Sequence, residues 1–396
     1  MTHRQARLPS GRDRPRDGGR NHLAASHLHW LVWLALAAVP AFGQGAANSP
    51  VAVLPRLTAT GTDGFFSLDL RNGAVTYFDR LRRDPLRARL ERVAQNLFQD
   101  IGRPLDQPAA ANEIFLAPLL DAGGNARSAL FVETSTGYVA YFEQLGKGST
   151  FGKITTVVAR PFGPLASPDG NFALLMRRGT SGRSEGAYLY HASSGRTLLL
   201  DGLAKLEIDP PVRNVPALPR LSGQVCAVDL QSSSETTIAY LVADAADGSL
   251  HFLDLDPDDF TRVTVRESPA SLFDAFEPQG RNPTPRRFAA VPIQGAGDDT
   301  EHVFFVDAAS GEMALFENAT GAAARPALRK LALNAYGALR TDVTSRQRIV
   351  ALVPAVAGSG ETRGVWLVDS LTRAMAYVEN PGTPGSASIR RVAVEN

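Results

Sequence analysis

The chain of 396 residues holds a single cysteine, Cys226, so no internal disulfide can form. Cys226 lies in the apolar phrase VCAVDL, which predicts a buried, inert thiol rather than a nucleophile. Past residue 43 only three histidines remain, His191, His251 and His302, and none forms an HxH or HExxH pair. A zinc site would need these distant histidines to converge with no cysteine cluster to help. P-loop and CxxC motifs are absent. The apolar run Leu28–Val39 is too short to span a bilayer. It follows a polar leader with six arginines and precedes Ala41-Phe42-Gly43, whose small residues suit a signal peptidase. No consecutive arginine pair supports twin-arginine export.

These features predict a signal peptide over 1–43 and a small-residue linker over 44–50, with retention as a short anchor as the alternative. Periplasmic or extracellular localisation follows, with no transmembrane span after cleavage. The leader carries six Arg and two Asp, so its removal takes the formal charge from +1 to −3. No strongly basic patch remains, which excludes nucleic acid as a partner.

What the chain does have is a repeated phrase. Val303–Glu317 reads VFFVDAASGEMALFE, and related phrases occur at Phe65–Asp79, Ala129–Glu143, Ala187–Asp201, Ala239–Asp254 and Val365–Glu379. The turn glycines are Gly73, Gly137, Gly195, Gly248 and Gly311, with Arg373 in the sixth copy, at spacings of 64, 58, 53, 63 and 62 residues. An acid follows six residues after each turn position: Asp79, Glu143, Asp201, Asp254, Glu317 and Glu379. Four residues before it stand Asp69, Glu133, His191, Asp244, Asp307 and Asp369.

Each copy reads as a β-hairpin. Aliphatic and aromatic arms suit strands, and glycine tolerates positive φ without steric cost. An Asp opening the loop can accept from backbone N–H groups two residues on. Arg373 breaks the glycine rule and predicts a strained or different turn. The arms Val75-Thr76-Tyr77-Phe78 and Val139-Ala140-Tyr141-Phe142 are apolar on both faces, as in strands covered on both sides. A period of about 60 residues in a strand-rich chain points to a propeller rather than a solenoid of shorter rungs. Pro55, Pro118, Pro292 and Pro354 lie 18 or 19 residues before the turn position. Proline is confined to edge strands or strand ends, and the innermost strand of a blade is such an edge. The prediction is an all-β, six-bladed β-propeller over 51–396.

Pro85–Ile101 reads as a helical insertion in the first blade. Leu86, Leu90, Val93, Leu97 and Ile101 fall on one helical face, and Arg87, Arg89, Glu91 and Arg92 on the other. It is expected to pack on the rim, or else to dock a partner. Blade four is expected to begin near Val212, and Ser388–Val394 to pair with the first blade and close the ring.

The phrase VDAASGEMALF resembles the repeats of quinoprotein-like propellers, and Ser167-Pro168-Asp169-Gly170 resembles the blade-opening turn of TolB-type and WD-type propellers. The resemblance implies a β-propeller of the bacterial cell envelope. It departs from quinone-dependent dehydrogenases, which carry a Trp in most blades, because residues 44–396 hold only Trp366. Sialidase-type aspartate boxes and repeated Kelch double glycines are also missing.

Few motifs carry chemistry. Gly182–Gly186 matches GxSxG, but a polar loop precedes Ser184 and a strand follows, which is not a nucleophile elbow. In Asp254-Leu255-Asp256-Pro257-Asp258-Asp259, alternate acids can converge on Ca2+, so Asp254, Asp256 and Asp258 are the candidate metal ligands. Position six is Asp259 rather than Gly and position twelve is Val265 rather than Glu, which favours a solvated turn. The acids opening the turns read as caps. The innermost segments Val51–Leu54, Ile114–Leu120, Phe288–Val291 and Ile349–Val353 contain no acid, with Arg56, Asp121 and Gln294 near their ends. The expectation is a non-catalytic scaffold binding an envelope protein or glycan. The alternative is a divalent-metal hydrolase of the lactonase type using Asp121, Asp254, Asp256 and Asp258.

Overall fold

A computed structural model describes residues 51–395 apart from 107–108, 110–113, 146–151, 159–170, 207–210, 277–285, 298, 321–325, 340–349 and 371. The leader 1–43, the linker 44–50 and the turn Ser167–Gly170 lie outside the described residues.

Six antiparallel sheets follow one another along the chain. Blade one holds β1 (Val51–Thr58), β2 (Gly61–Asp69), β3 (Ala74–Asp79) and β4 (Arg87–Asn96), followed by the single helical turn α1 (Leu97–Asp100). Blade two holds β5 (Ile114–Leu120), β6 (Ala126–Glu133), β7 (Tyr138–Glu143) and β8 (Lys153–Val158). Blade three holds β9 (Phe172–Arg178), β10 (Ser184–His191), β11 (Arg196–Asp201) and β12 (Val212–Val215). Blade four holds β13 (Val225–Gln231), β14 (Thr237–Asp244), β15 (Leu250–Leu255) and β16 (Val263–Glu267), then α2 (Leu272–Ala275). Blade five holds β17 (Phe288–Gln294), β18 (Thr300–Asp307), β19 (Glu312–Glu317) and β20 (Ala327–Asn334), then α3 (Ala335–Leu339). Blade six holds β21 (Val350–Val356), β22 (Thr362–Asp369), β23 (Met375–Glu379) and β24 (Ser388–Arg391), and the chain ends in β25 (Ala393–Glu395).

Within each blade consecutive strands are neighbours; first strands touch at five of the junctions, blades two and three share a core cluster, and the first strands form the inner wall of a six-bladed propeller. The apolar run Val75–Phe78 is buried throughout because the two faces of a blade pack on different neighbours. Phe66, Leu68 and Tyr77 join blade two's Leu116, Phe131 and Phe142. Phe65 and Phe78 join blade six's Val353 and Trp366. Each such fully buried side chain contributes about 1.5–3 kcal/mol. The four prolines sit on β1, β5, β17 and β21, the inner edge, where no ladder donor is missed.

The hairpin turns are built as expected. Gly73, Gly137, Gly195, Gly248 and Gly311 have φ between 71° and 74°, and Arg373 stands at 59° in the same left-handed region. The N–H groups of Gly73, Gly195, Gly248, Gly311 and Arg373 donate to the carbonyl four residues back at 2.7–2.9 Å. The carboxylates of Asp69, Asp244 and Asp307 each accept the N–H two residues on, at 2.8–3.0 Å. The acids six residues after the turn pair with arginines of the outer strands: Asp254 with Arg266, Glu317 with Arg329 and Glu379 with Arg390. At such exposure these pairs are worth little individually.

A second repeat joins blade to blade. The last inner-strand N–H of one blade donates to a hydroxyl at the start of the next blade's second strand. The five pairs are Leu120 to Ser184, Arg178 to Thr237, Gln231 to Thr300, Gln294 to Thr362 and Val356 to Thr62, all at 3.0–3.1 Å. Blade two has Ala126 in this slot, and Asn125 Oδ1 instead accepts from Ala59 N–H at 2.8 Å. Ser184, the serine of the GxSxG string, is therefore a buried acceptor within this series.

Three expectations are corrected. Pro85–Ile101 is not a helix: β4 pairs with β3, and only Leu97–Asp100 turns helically. A register shift between Ala74 and Thr76 lets Val93–Gln95 bulge out, so apolar residues that alternate on a strand acquire helical spacing. Pairing with a waiting strand overrides the helix propensity of Arg, Leu and Glu. Val212–Val215 is the outer strand of blade three, paired with β11, not the start of blade four. Ser388–Arg391 stays in blade six on β23, and only Ala393–Glu395 crosses to blade one, where it pairs parallel with β4.

The seam between blades six and one carries further clasps. The Trp366 indole N–H donates to Pro85 O at 2.9 Å. Arg373 reaches Asp69 at 3.2 Å, which explains an arginine at a turn position that otherwise takes glycine. Burial tends to raise the Asp69 carboxyl, but hydrogen bonds and charge from Arg71, with Arg373, hold it below its ordinary value.

Candidate functional site

Because each blade repeats one plan, positions that depart from the plan single themselves out. On the inner strands the residue paired with the second strand at one fixed register is Pro55, Pro118, Met176, Asp229, Pro292 or Pro354. Blade four alone places a charge there. Two residues before the clasp slot, blades two, three and six have Gly124, Gly182 and Gly360, all at positive φ. Blade four has Glu235 in that slot, at φ 62°. A non-glycine residue there costs about 1–2 kcal/mol. At the inner-strand position paired with the clasp slot, blades one, two and six have Leu57, Leu120 and Val356, whereas blade three has Arg178.

Two of these departures meet, and the third acts on them electrostatically. Arg178 and Asp229 are 2% and 3% exposed, with Nε 3.9 Å from Oδ2. Gln231 Nε2 donates to Asp229 Oδ2 at 2.7 Å, and Gln294 Nε2 donates to Gln231 Oε1 at 2.8 Å, extending the string across blades three, four and five. Burial pushes the Asp229 carboxyl up, against the pull of Arg178 and Gln231. Burial likewise pushes Glu235 up against Arg178. Arg178 is driven down by burial while Asp229 and Glu235 both hold its proton. Glu235, on the loop between β13 and β14, is the partly exposed carboxyl of the group; Asp229 is the buried one. The Thr237 and Thr300 hydroxyls fix the backbone of Arg178 and Gln231. Chemically, this is a buried guanidinium–carboxyl pair with a second, partly exposed carboxyl that burial raises acting on it from the loop, a pattern suited to proton transfer beside a held anionic oxygen.

The neighbouring Arg177 is a strut. It pairs with Glu185 at 2.8 Å and Asp201 at 3.0 Å and lies 4.0 Å from the Phe260 ring centroid.

The sequence-derived metal candidates are not assembled. Both oxygens of Asp254 face Arg266, at 3.2 and 3.3 Å. Asp256 Oδ1 accepts from the N–H groups of Asp258 and Asp259 and caps the turn, while Asp258 is exposed. Asp121 caps the loop over Gly123–Asn125 on another blade. Among the described residues no group of three or more His, Cys, Asp or Glu side chains is placed to hold a metal ion. His191, His251 and His302 lie on β10, β15 and β18 of three blades, each hydrogen-bonded locally. Sequence reasoning missed Arg178, Asp229 and Glu235 because it tested for acids only the innermost segments of blades one, two, five and six. Aligning VCAVDLQ with FAAVPIQ would have exposed Asp229.

Buried phenols make the fold sensitive to alkali. Burial pushes Tyr77 and Tyr377 up to about 12. It drives Tyr188, Tyr190 and Tyr240 up as well. A phenol whose folded value lies above the unfolded value of about 10 contributes stability that is whole below that value and lost as pH rises through the folded one. The melting temperature is therefore expected to fall steeply between pH 10 and about 12. A melt unchanged at pH 12 would contradict the burial of these hydroxyls.

No protein-family model matches the chain, and no curated protein matches it. Among the described residues no helix is long and apolar enough to cross a membrane. Solved structures resemble it at low identity. A Lactobacillus plantarum protein gives a TM-score of 0.45 at 13% identity, covering 86% of this chain and 84% of its own. A Pseudomonas aeruginosa periplasmic gluconolactonase gives 0.45 at 12%, covering 87% and 86%. The β-propeller domain of Myceliophthora thermophila Cps50 (Swd1) gives 0.44 at 11%, covering 89% and 92%. The presence of a gluconolactonase in this company corrects the expectation of a non-catalytic scaffold. That expectation rested on a missing catalytic motif, and a missing motif does not separate binding propellers from catalytic ones. Likeness at this level carries no activity to the chain; the six-bladed propeller rests on its own strand pairing.

Proposed function

We propose that the chain is a hydrolase acting on a small hydroxylated cyclic ester, a lactone, at the Arg178–Asp229–Glu235 site. The observation that carries the reading is the buried Arg178–Asp229 pair on the inner wall, at a register where the other five blades carry Pro or Met, with Glu235 acting electrostatically on Arg178 from the adjoining loop. Glu235 acts as the general base that takes a proton from water as its oxygen attacks the lactone carbonyl. Arg178 faces the oxygen that gains negative charge. When the ring C–O bond breaks, Glu235 returns the proton to the leaving oxygen, which becomes a hydroxyl. Asp229 holds the guanidinium in place, and the Gln231 amide orients Asp229. No step runs through a metal. The setting is the periplasm or the extracellular space, after cleavage near Gly43. The gluconolactonase among similar structures chooses the first substrate to try and nothing more.

The test separates stability from activity. Glu235→Gly restores the residue that blades two, three and six use at this φ, so its melting temperature is expected to equal or exceed that of the parent. Lactone hydrolysis, followed by acid release from gluconolactone, is expected to fall about 100-fold or more. Undiminished hydrolysis by the Gly variant would remove Glu235 from the chemistry. A parent protein inactive on gluconolactone and on smaller lactones would overturn the proposal itself.

A further inference from the structure

We infer that the seam where the ring closes is a binding site for a single-chain amphiphile with an anionic head. A cavity of about 830 Å³ opens there, within the size range of small-molecule sites. It forms because the chain leaves blade six at Arg391 and does not rejoin a sheet until Ala393 pairs with β4 of blade one. The crossing leaves a hollow bounded by the β22–β23 turn, α3 and the terminal strand. The partly exposed Leu90 and Val394 line its apolar side, with Leu339, Met375 and Val392 buried behind them, while Arg373 and Arg391 bring two guanidiniums to the same cavity.

The charges select the ligand's sign. Asp69 is shared between Arg71 at 2.7 Å and Arg373 at 3.2 Å, so one carboxylate faces two cations. Glu379 is taken by Arg390 at 2.6 Å, and Glu395 faces Arg80 at 3.8 Å. Arg391 is exposed and has no ion-pair partner among the described residues. The cavity therefore carries uncompensated positive charge beside aliphatic surface, which suits an alkyl chain ending in a carboxylate or phosphate. Such a ligand would touch both blade six and the strand that latches it to blade one, so binding would tighten the closure.

The probes are dodecanoate, dodecyl phosphate and dodecyltrimethylammonium, added to the intact protein and read by calorimetric titration and thermal melts. One anionic molecule is expected per chain, with a raised melting temperature, and no saturable binding of the cationic probe with the same tail. The stronger of the two anions identifies the head group. Arg391→Gln is expected to weaken anion binding about tenfold or more while its far-UV spectrum and unliganded melt stay those of the parent. Ala374→Trp, which fills the cavity and keeps both arginines, is expected to abolish binding. Equal binding of the cationic probe, unweakened binding by Arg391→Gln, or binding retained by Ala374→Trp would each overturn the inference, as would no binding by the parent protein.

Discussion

Replacing Arg178 with Met while Asp229 stays is expected to cost about 3–5 kcal/mol of stability, measured from urea midpoints at neutral pH. The pair is 2% and 3% exposed, so the orphaned carboxylate would have neither water nor a counter-charge. Gln231 would remain as a donor, but an amide does not replace a guanidinium. The double variant Arg178→Met with Asp229→Leu is expected to recover most of that loss, because two apolar side chains remove the desolvation penalty from both sides. Asp229→Leu restores at its own register the apolar character that the other five blades show. A single variant costing less than about 1 kcal/mol would mean that the carboxyl is not held charged against Arg178. A double variant as stable as the parent but inactive on lactones would fit a group kept for chemistry rather than for folding.

Gly61→Ala is expected to be comparably severe, for a reason of space. Gly61 has φ 105°, and a Cβ built on it would lie 2.1 Å from the Val356 carbonyl oxygen of blade six. The obstacle is backbone, so it cannot swing aside, and moving it would pull on the Thr62 clasp and the Gly61–Ala357 bridge at the same seam. Strain and overpacking together set the expected cost at about 3 kcal/mol or more. Gly102→Ala is the control: φ is 72° there, but nothing lies within 4 Å of the new Cβ. It is expected to cost only about 1 kcal/mol. Similar midpoints for the two variants would show that the blade six seam is not tightly closed at Gly61.

The repeat was legible because its causes are local. A turn that needs positive φ selects glycine, a carboxylate that caps it selects Asp, and a strand packed on both faces selects an unbroken apolar run. The proline slot was legible for the same reason, since a missing N–H is tolerated only on an edge. Residues 85–101 misled because their helical spacing arose from a bulge, and a bulge is decided by the strand opposite, not by the residues that bulge. The clasp hydroxyls stand at one fixed offset in the repeat and were readable in principle. Nothing in a lone Ser or Thr announces a partner in the preceding blade.

The candidate site divides in the same way. That Asp229 and Glu235 depart from the plan of their blade is a property of the sequence, visible once the copies are aligned. That they share Arg178, which comes from another blade, belongs to the tertiary structure, because 51 residues separate Arg178 from Asp229 and only ring packing sets them side by side. The acids from Asp254 to Asp258 show the converse. Their spacing suggested convergence, yet the ladder between β15 and β16 gave Asp254 to Arg266 instead. By itself the amino-acid order determined six hairpins, their turn chemistry and the propeller they build, since each depends on interactions within about 20 residues. The closure of the ring, the seam cavity and the meeting of Arg178 with Asp229 were decided only when the blades packed, because burial and charge partnership are properties of neighbours in space.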